Sequence, residues 1–77
     1  MRVTLRFARG LREIYENLDE EIEVTLEEGA TVRDALASAN LPEGAWGILL
    51  TDDRLCKIDE ELVRGQVITV LPPVSGG

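Results

Sequence analysis

Histidine is absent from this 77-residue chain, and cysteine occurs once, as Cys56. No intramolecular disulfide can form, and a zinc site built on thiolates or imidazoles lacks ligands. A Cys–His nucleophilic pair has no base. Cys56 stands in Leu55-Cys56-Lys57-Ile58, between strand-forming residues. It reads as a half-buried structural thiol, because free cysteine packs as a small hydrophobe. Aromatics are scarce, with one Phe, one Trp and one Tyr. Positive charge is scarce too: 8 Lys and Arg against 15 Asp and Glu leave a formal net charge of −7. That sign repels phosphodiester backbones and anionic lipid headgroups, so neither nucleic acid nor a membrane surface is expected as a partner. No apolar run approaches the ~20 residues of a membrane span. The first residues have the pattern of a strand and not of a signal peptide, which makes a cytoplasmic location the expectation. No bound metal or cofactor is expected.

What is present is enough for one small domain. A chain this short buries only about 60% of the surface its unfolded form exposes, which leaves little room for a deep catalytic pocket. Such a protein is better suited to being handled by larger partners than to catalysis alone. Arg2 to Phe7 alternates, with Val3, Leu5 and Phe7 on one face, the period-2 pattern of a half-buried strand. Glu21 to Glu27 repeats it, with Ile22, Val24 and Leu26 inward. Gly10 to Asp19 between them is a polar connection with room for a turn of helix around Leu11, Ile14 and Tyr15.

Thr31 opens a helix, with Asp34 placed to complete an Asp version of the capping box. Val32, Ala35, Leu36 and Ala39 form one apolar stripe, and Asn40 and Pro42 stop it. Gly44 to Gly47 reads as a loop. Ile48 to Thr51 reads as a strand with Ile48 and Leu50 inward, Asp52-Asp53 as a turn, and Arg54 to Ile58 as a short return strand. Gly65 breaks the chain before a last strand, Gln66 to Leu71. The segment between the second strand and the helix is long enough for a crossover that lets the first and last strands lie side by side and parallel. The fold class expected is α+β: a β-grasp, with a mixed sheet of about five short strands and one main helix on one face. The expected core is Val3, Leu5, Phe7, Ile22, Val24, Leu26, Val32, Leu36, Ile48, Leu50, Ile58, Leu62, Ile68 and Val70.

The domain is expected to span 1–71 and a flexible tail 72–77. That tail reads Pro72-Pro73-Val74-Ser75-Gly76-Gly77. Pro72-Pro73 cannot donate ladder hydrogen bonds and favours a polyproline-type extension that holds the tail away from the body. Gly76 and Gly77 make a thin tip, since only glycine lets a backbone approach a reacting partner this closely. The pattern is that of a carboxylate on a short leash, made to thread a narrow channel in another protein.

Leu71 through Gly77, together with Phe7-Ala8, Thr31-Val32, Leu62 and Gly65, resembles the small subunit of molybdopterin synthase. That family belongs with the thiamine-pathway sulfur carrier and ubiquitin, and the likeness covers nearly the whole chain. Where it often has Asn-Gly after the third strand this chain has Asp52-Asp53, and Gly65-Gln66-Val67 replaces its common Gly-Asp-Glu. The resemblance implies that a partner adenylating enzyme uses ATP to activate the Gly77 carboxylate. A sulfur donor protein then converts it to a thiocarboxylate. Its sulfur goes to a pterin precursor held by the large subunit of molybdopterin synthase. It also implies that Pro72, Pro73, Val74, Ser75 and Gly76 thread the partner's channel.

Phe7 and Leu71, extended by Val67, are candidates for an apolar partner-binding patch near the tail. Phe7 and Leu71 are also acceptable as ordinary core residues, and Val67, on the face opposite Ile68 and Val70, extends the patch if it is exposed. The acidic residues from Glu13 to Glu28 read as a solvated face that steers basic partners. Two other outcomes stay open. The activated tail could serve thiamine, cysteine or tRNA thiolation, or join the chain to lysines as a modifier; alternatively the domain binds partners non-covalently.

Overall fold

Strand β1 (Arg2–Phe7) follows the alternation of its sequence, with Val3, Leu5 and Phe7 buried, Arg2 and Arg6 exposed and Thr4 half-buried. The computed structural model describes residues 1–41 and 44–73. The remaining elements are α1 (Arg9–Ile14), β2 (Glu21–Thr25), α2 (Val32–Ser38), β3 (Leu49–Thr51), β4 (Arg54–Leu55) and β5 (Val67–Val70). The sheet order is β2-β1-β5-β3-β4. β1 pairs with β2 antiparallel and with β5 parallel, in the register Leu5↔Ile68 and Phe7↔Val70. The parallel first and last strands form the centre of the sheet. This is the mixed five-stranded, ubiquitin-like β-grasp.

Helix α2 forms as its sequence requires. The Thr31 hydroxyl accepts from the Asp34 amide while the Asp34 carboxylate accepts from the Thr31 amide at 2.9 Å, a complete capping box. Its end is a Schellman motif: Asn40 takes a positive φ of 62°, Asn40 N–H donates to Ala37 C=O, and Leu41 N–H donates to Leu36 C=O. Leu41 is thereby drawn into the core. Val32, Ala35 and Leu36 of α2 and Leu11 of α1 share one buried cluster with Val3, Leu5, Phe7, Ile68 and Val70. Removing one such large side chain from water contributes about 1.5–3 kcal/mol.

The face of β3 is the reverse of the one expected. Leu49 and Thr51 are buried, while Ile48 and Leu50 are only half-buried. β5 decides this, because paired residues of neighbouring strands share a face. Leu49 lies opposite the buried Val70, and Leu50 opposite the outward Thr69. A one-residue change of register exchanges the two faces of a strand. Ile22, Leu26 and Ile58 pack against the core from its margin, half-buried. Leu11, Leu41, Ala45 and Leu49 complete it. The return strand β4 stops after two residues, joined to β3 by Asp52-Asp53 with positive φ at both. That is the two-residue hairpin connection whose twist matches the sheet.

Candidate functional site

The site lies where β5 leaves the sheet. Ala8 N–H donates to Val70 C=O at 3.0 Å, the last bond between the first and last strands. On the other side, Leu71 N–H donates to Ile48 C=O at 2.9 Å and Leu71 C=O accepts from Gly47 N–H at 2.8 Å. Gly47 and Ile48 thus share Leu71, in the manner of a bulge that ends a ladder. Pro72 has no N–H to continue it.

The two prolines nevertheless stay against the body. A Cβ at Gly10 would stand 3.2 Å from Pro72 Cγ. One at Gly47 would stand 2.6 Å from Pro73 Cα and 2.7 Å from the Pro72 carbonyl oxygen. Pro72 and Pro73 are thus in close approach to Gly10 and Gly47, with Pro72 half-buried and Pro73 exposed. Absent side chains at two glycines make this approach possible. Val74, Ser75, Gly76 and Gly77 lie outside the described residues.

The three apolar candidates do not share a surface. Phe7 is only 3% exposed and points into the core, because its partner Val70 is a buried position; it is not part of a docking patch. Val67 lies on the opposite, open face at 40% exposure, and Leu71 is half-buried. Val67 there lines a shallow depression with Arg6, Leu50, Thr69, Asp52 and Asp53. Near the exit a second depression holds Arg6, Arg9 and Arg12. Their charge is offset locally: Arg6 pairs with Glu21 at 3.7 Å and Arg9 with Glu13 at 3.6 Å, and Glu20 lines the same depression.

Cys56 is half-buried, and its thiol donates to Glu60 Oε2 at 3.7 Å. Glu60 accepts both Arg54 nitrogens, at 2.8 and 3.1 Å. Burial, with the Glu60 carboxylate next in weight, pushes the thiol pKa up. The Arg54 hydrogen bonds hold the Glu60 carboxyl below its ordinary value. A thiol whose pKa is raised is a weaker nucleophile at neutral pH, as a structural role requires. Asp59 pairs with Arg33 at 3.2 Å. Among the described residues no three acidic or thiol groups gather as a cation site, and no helix is long and apolar enough to cross a membrane.

The sequence model of the ThiS family matches residues 5–77. The chain belongs to the ThiS family. No curated protein sequence matches it. Its fold is similar to that of SAMP1 from Haloferax volcanii, at 22% identity and a TM-score of 0.76 with both chains covered in full. It is similar at 27% identity and a TM-score of 0.73 to a putative molybdopterin converting factor subunit 1 from Pyrococcus furiosus, over 96% of this chain and 99% of that one. A complex of subunits 1 and 2 of the molybdopterin-converting factor from Helicobacter pylori contains a chain with the same fold. Identity there is 24% and the TM-score 0.66, with both chains covered in full. In this ThiS-family chain, sequence reasoning missed Gly10 and Gly47 as residues of the tail exit. The sequence held no signal for them, because Gly47 reads as part of a loop and Gly10 as part of a connection; that neither takes a positive φ is seen only in the structure.

Proposed function

We propose that this chain is a sulfur carrier whose Gly77 carboxylate is the reacting group. The observation that carries the reading is the course of β5. The last strand runs through the centre of a ThiS-family sheet and delivers Leu71, Pro72 and Pro73 at one end of it. Val74-Ser75-Gly76-Gly77 follows in the sequence. A partner adenylating enzyme supplies ATP; a carboxylate oxygen attacks its α-phosphorus, pyrophosphate leaves, and an acyl-adenylate results. A donor protein carrying the sulfur as a cysteine persulfide then forms a C–S bond through its terminal sulfur as the C–O bond to AMP breaks. A second thiol of the donor breaks the resulting S–S bond, which releases the Gly77 thiocarboxylate and leaves a disulfide on the donor. The thiocarboxylate sulfur bonds to a pterin precursor held by the large subunit of molybdopterin synthase, and water cleaves the acyl C–S bond to restore the Gly77 carboxylate.

Within that reading, Val74, Ser75 and Gly76 thread the partner's channel, and Leu71 and Val67 contribute to docking. The 27% likeness to the Pyrococcus furiosus molybdopterin converting factor subunit supports the pterin destination. The likeness to a small archaeal modifier protein supports a second destination, in which a lysine amine displaces AMP and an isopeptide forms.

Intact mass after incubation with the adenylating enzyme of the same organism, ATP and a sulfur donor tests the proposal. The expected product has one oxygen exchanged for sulfur at Gly77. Deleting Gly77, or adding a residue after it, abolishes the product and leaves the fold unchanged. A mass change that maps to Cys56, or product from the Gly77-deleted chain, overturns the reading. Isopeptide adducts without sulfur incorporation favour the modifier destination.

A further inference from the structure

Two glycines that make no turn stand where the last strand leaves the sheet. Gly29, Gly44 and Gly65 each take a positive φ, which explains them. Gly10 and Gly47 do not. Gly10 lies inside α1, where glycine is a poor helix residue, and Gly47 directly precedes the half-buried Ile48. What the two share is the chain segment they face, Pro72-Pro73.

We infer that Gly47, supported by Gly10, is a positioning residue: together they form a seat that sets the direction in which the chain leaves the body after Pro73. The inference rests on the carrier reading, because it is the offer of Gly77 to an activating partner that the direction governs. Leu71 is fixed by its two backbone hydrogen bonds, to Ile48 and from Gly47. Beyond it no ladder bond is available, since Pro72 lacks the donor. The rings of Pro72 and Pro73 fix φ near −65° and Pro73 confines ψ of Pro72 to the extended range, so an orientation set at Pro72 is passed on to Pro73, where ψ of Pro73 is the first free torsion. The seat supplies that orientation by steric fit alone.

The two glycines differ in what a methyl group would meet. At Gly47 it meets Pro73 Cα and the Pro72 carbonyl oxygen, backbone atoms that cannot rotate away. At Gly10 it meets the tip of the Pro72 ring at 3.2 Å, which can yield by a change of pucker. Gly47→Ala therefore displaces the exit, and Gly10→Ala only crowds it.

The test uses the full chain in Gly47→Ala, Gly10→Ala and Pro72→Ala forms, with the adenylating enzyme of the same organism. Melting and amide exchange report the body and the exit; ATP–pyrophosphate exchange gives kcat and KM for the chain. Gly47→Ala is expected to keep the amide protection of β1 and to lose it at Leu71. Its kcat falls about tenfold or more while KM stays within about twofold, the pattern of misplaced reactants on an intact docking surface. Gly10→Ala lowers kcat about two- to threefold by the same route.

Retained protection at Leu71 in Gly47→Ala, or a displaced exit with unchanged kcat, overturns the inference. Should Gly47→Ala fail to fold, unchanged kcat in both Gly10→Ala and Pro72→Ala overturns it instead. If the unaltered chain is not adenylated at all, the carrier reading fails and takes the activating role of the seat with it. The amide exchange then still shows whether the two glycines hold the prolines in place.

Discussion

Gln66 Nε2 donates to the buried Thr51 hydroxyl across 3.0 Å, and this bond is what lets a hydroxyl occupy the core of so small a domain. The same Gln66 side chain accepts from Val63 N–H at 2.9 Å, so it joins β3 to the turn that starts β5. An unpaired buried hydroxyl would cost about 1–3 kcal/mol. Gln66 removes that penalty and so permits the register in which Leu49 and Thr51, not Ile48 and Leu50, face inward.

Leu49→Ala and Leu50→Ala separate the two registers. Leu49 is buried, so its truncation should destabilise the domain by about 2–5 kcal/mol. Leu50 lies on the open face, and its truncation should cost about 1 kcal/mol or less. Urea unfolding of both variants measures the difference; equal losses would contradict the observed pairing.

The Asp52-Asp53 turn holds two non-glycine residues at φ of 47° and 64°. A Cβ is crowded in that conformation and glycine is not. Asp53→Gly should therefore stabilise the protein by about 0.5–1 kcal/mol after the extra chain entropy of glycine is deducted. It should appear as a higher melting temperature. A lower one would mean that the aspartate makes a compensating interaction.

The Glu60 carboxyl titrates lower in the folded protein, chiefly because Arg54 hydrogen-bonds its ionised form. Its contribution to stability is then present above the unfolded-state value, about 4.3 for a glutamate. It is lost as the pH falls through the lowered folded value. Glu60→Gln should flatten the fall in melting temperature over that acid range and leave its slope near neutrality unchanged. The Cys56 thiol shifts the other way, so its contribution is present below the ordinary thiol pKa and is lost as the pH rises through the raised folded one. Alkylation at mildly alkaline pH should accordingly be slower in the folded protein than in urea. Equal rates would show that the thiol is neither buried nor shifted.

Local pattern carried far in this chain. The alternation in Arg2 to Phe7 and Glu21 to Glu27, the Thr31–Asp34 cap and the stop at Asn40 each depend on neighbours within a few residues. Each lies in the structure where its sequence places it, give or take a residue or two at strand ends. The parallel pairing of the first and last strands was also legible, because a single helix between strand pairs leaves few ways to close one sheet.

The inward face of β3 and the seating of Pro72-Pro73 were settled otherwise. Each depends on which residue of a distant strand or loop stands opposite: Val70 for Leu49, Gly47 and Gly10 for the prolines. A sequence by itself determines local backbone preference and the chemistry its side chains can offer. Only the tertiary structure decided the register of β3 and the seating of Pro72-Pro73, because both are set by contacts between segments far apart along the chain, where local periodicity holds no information.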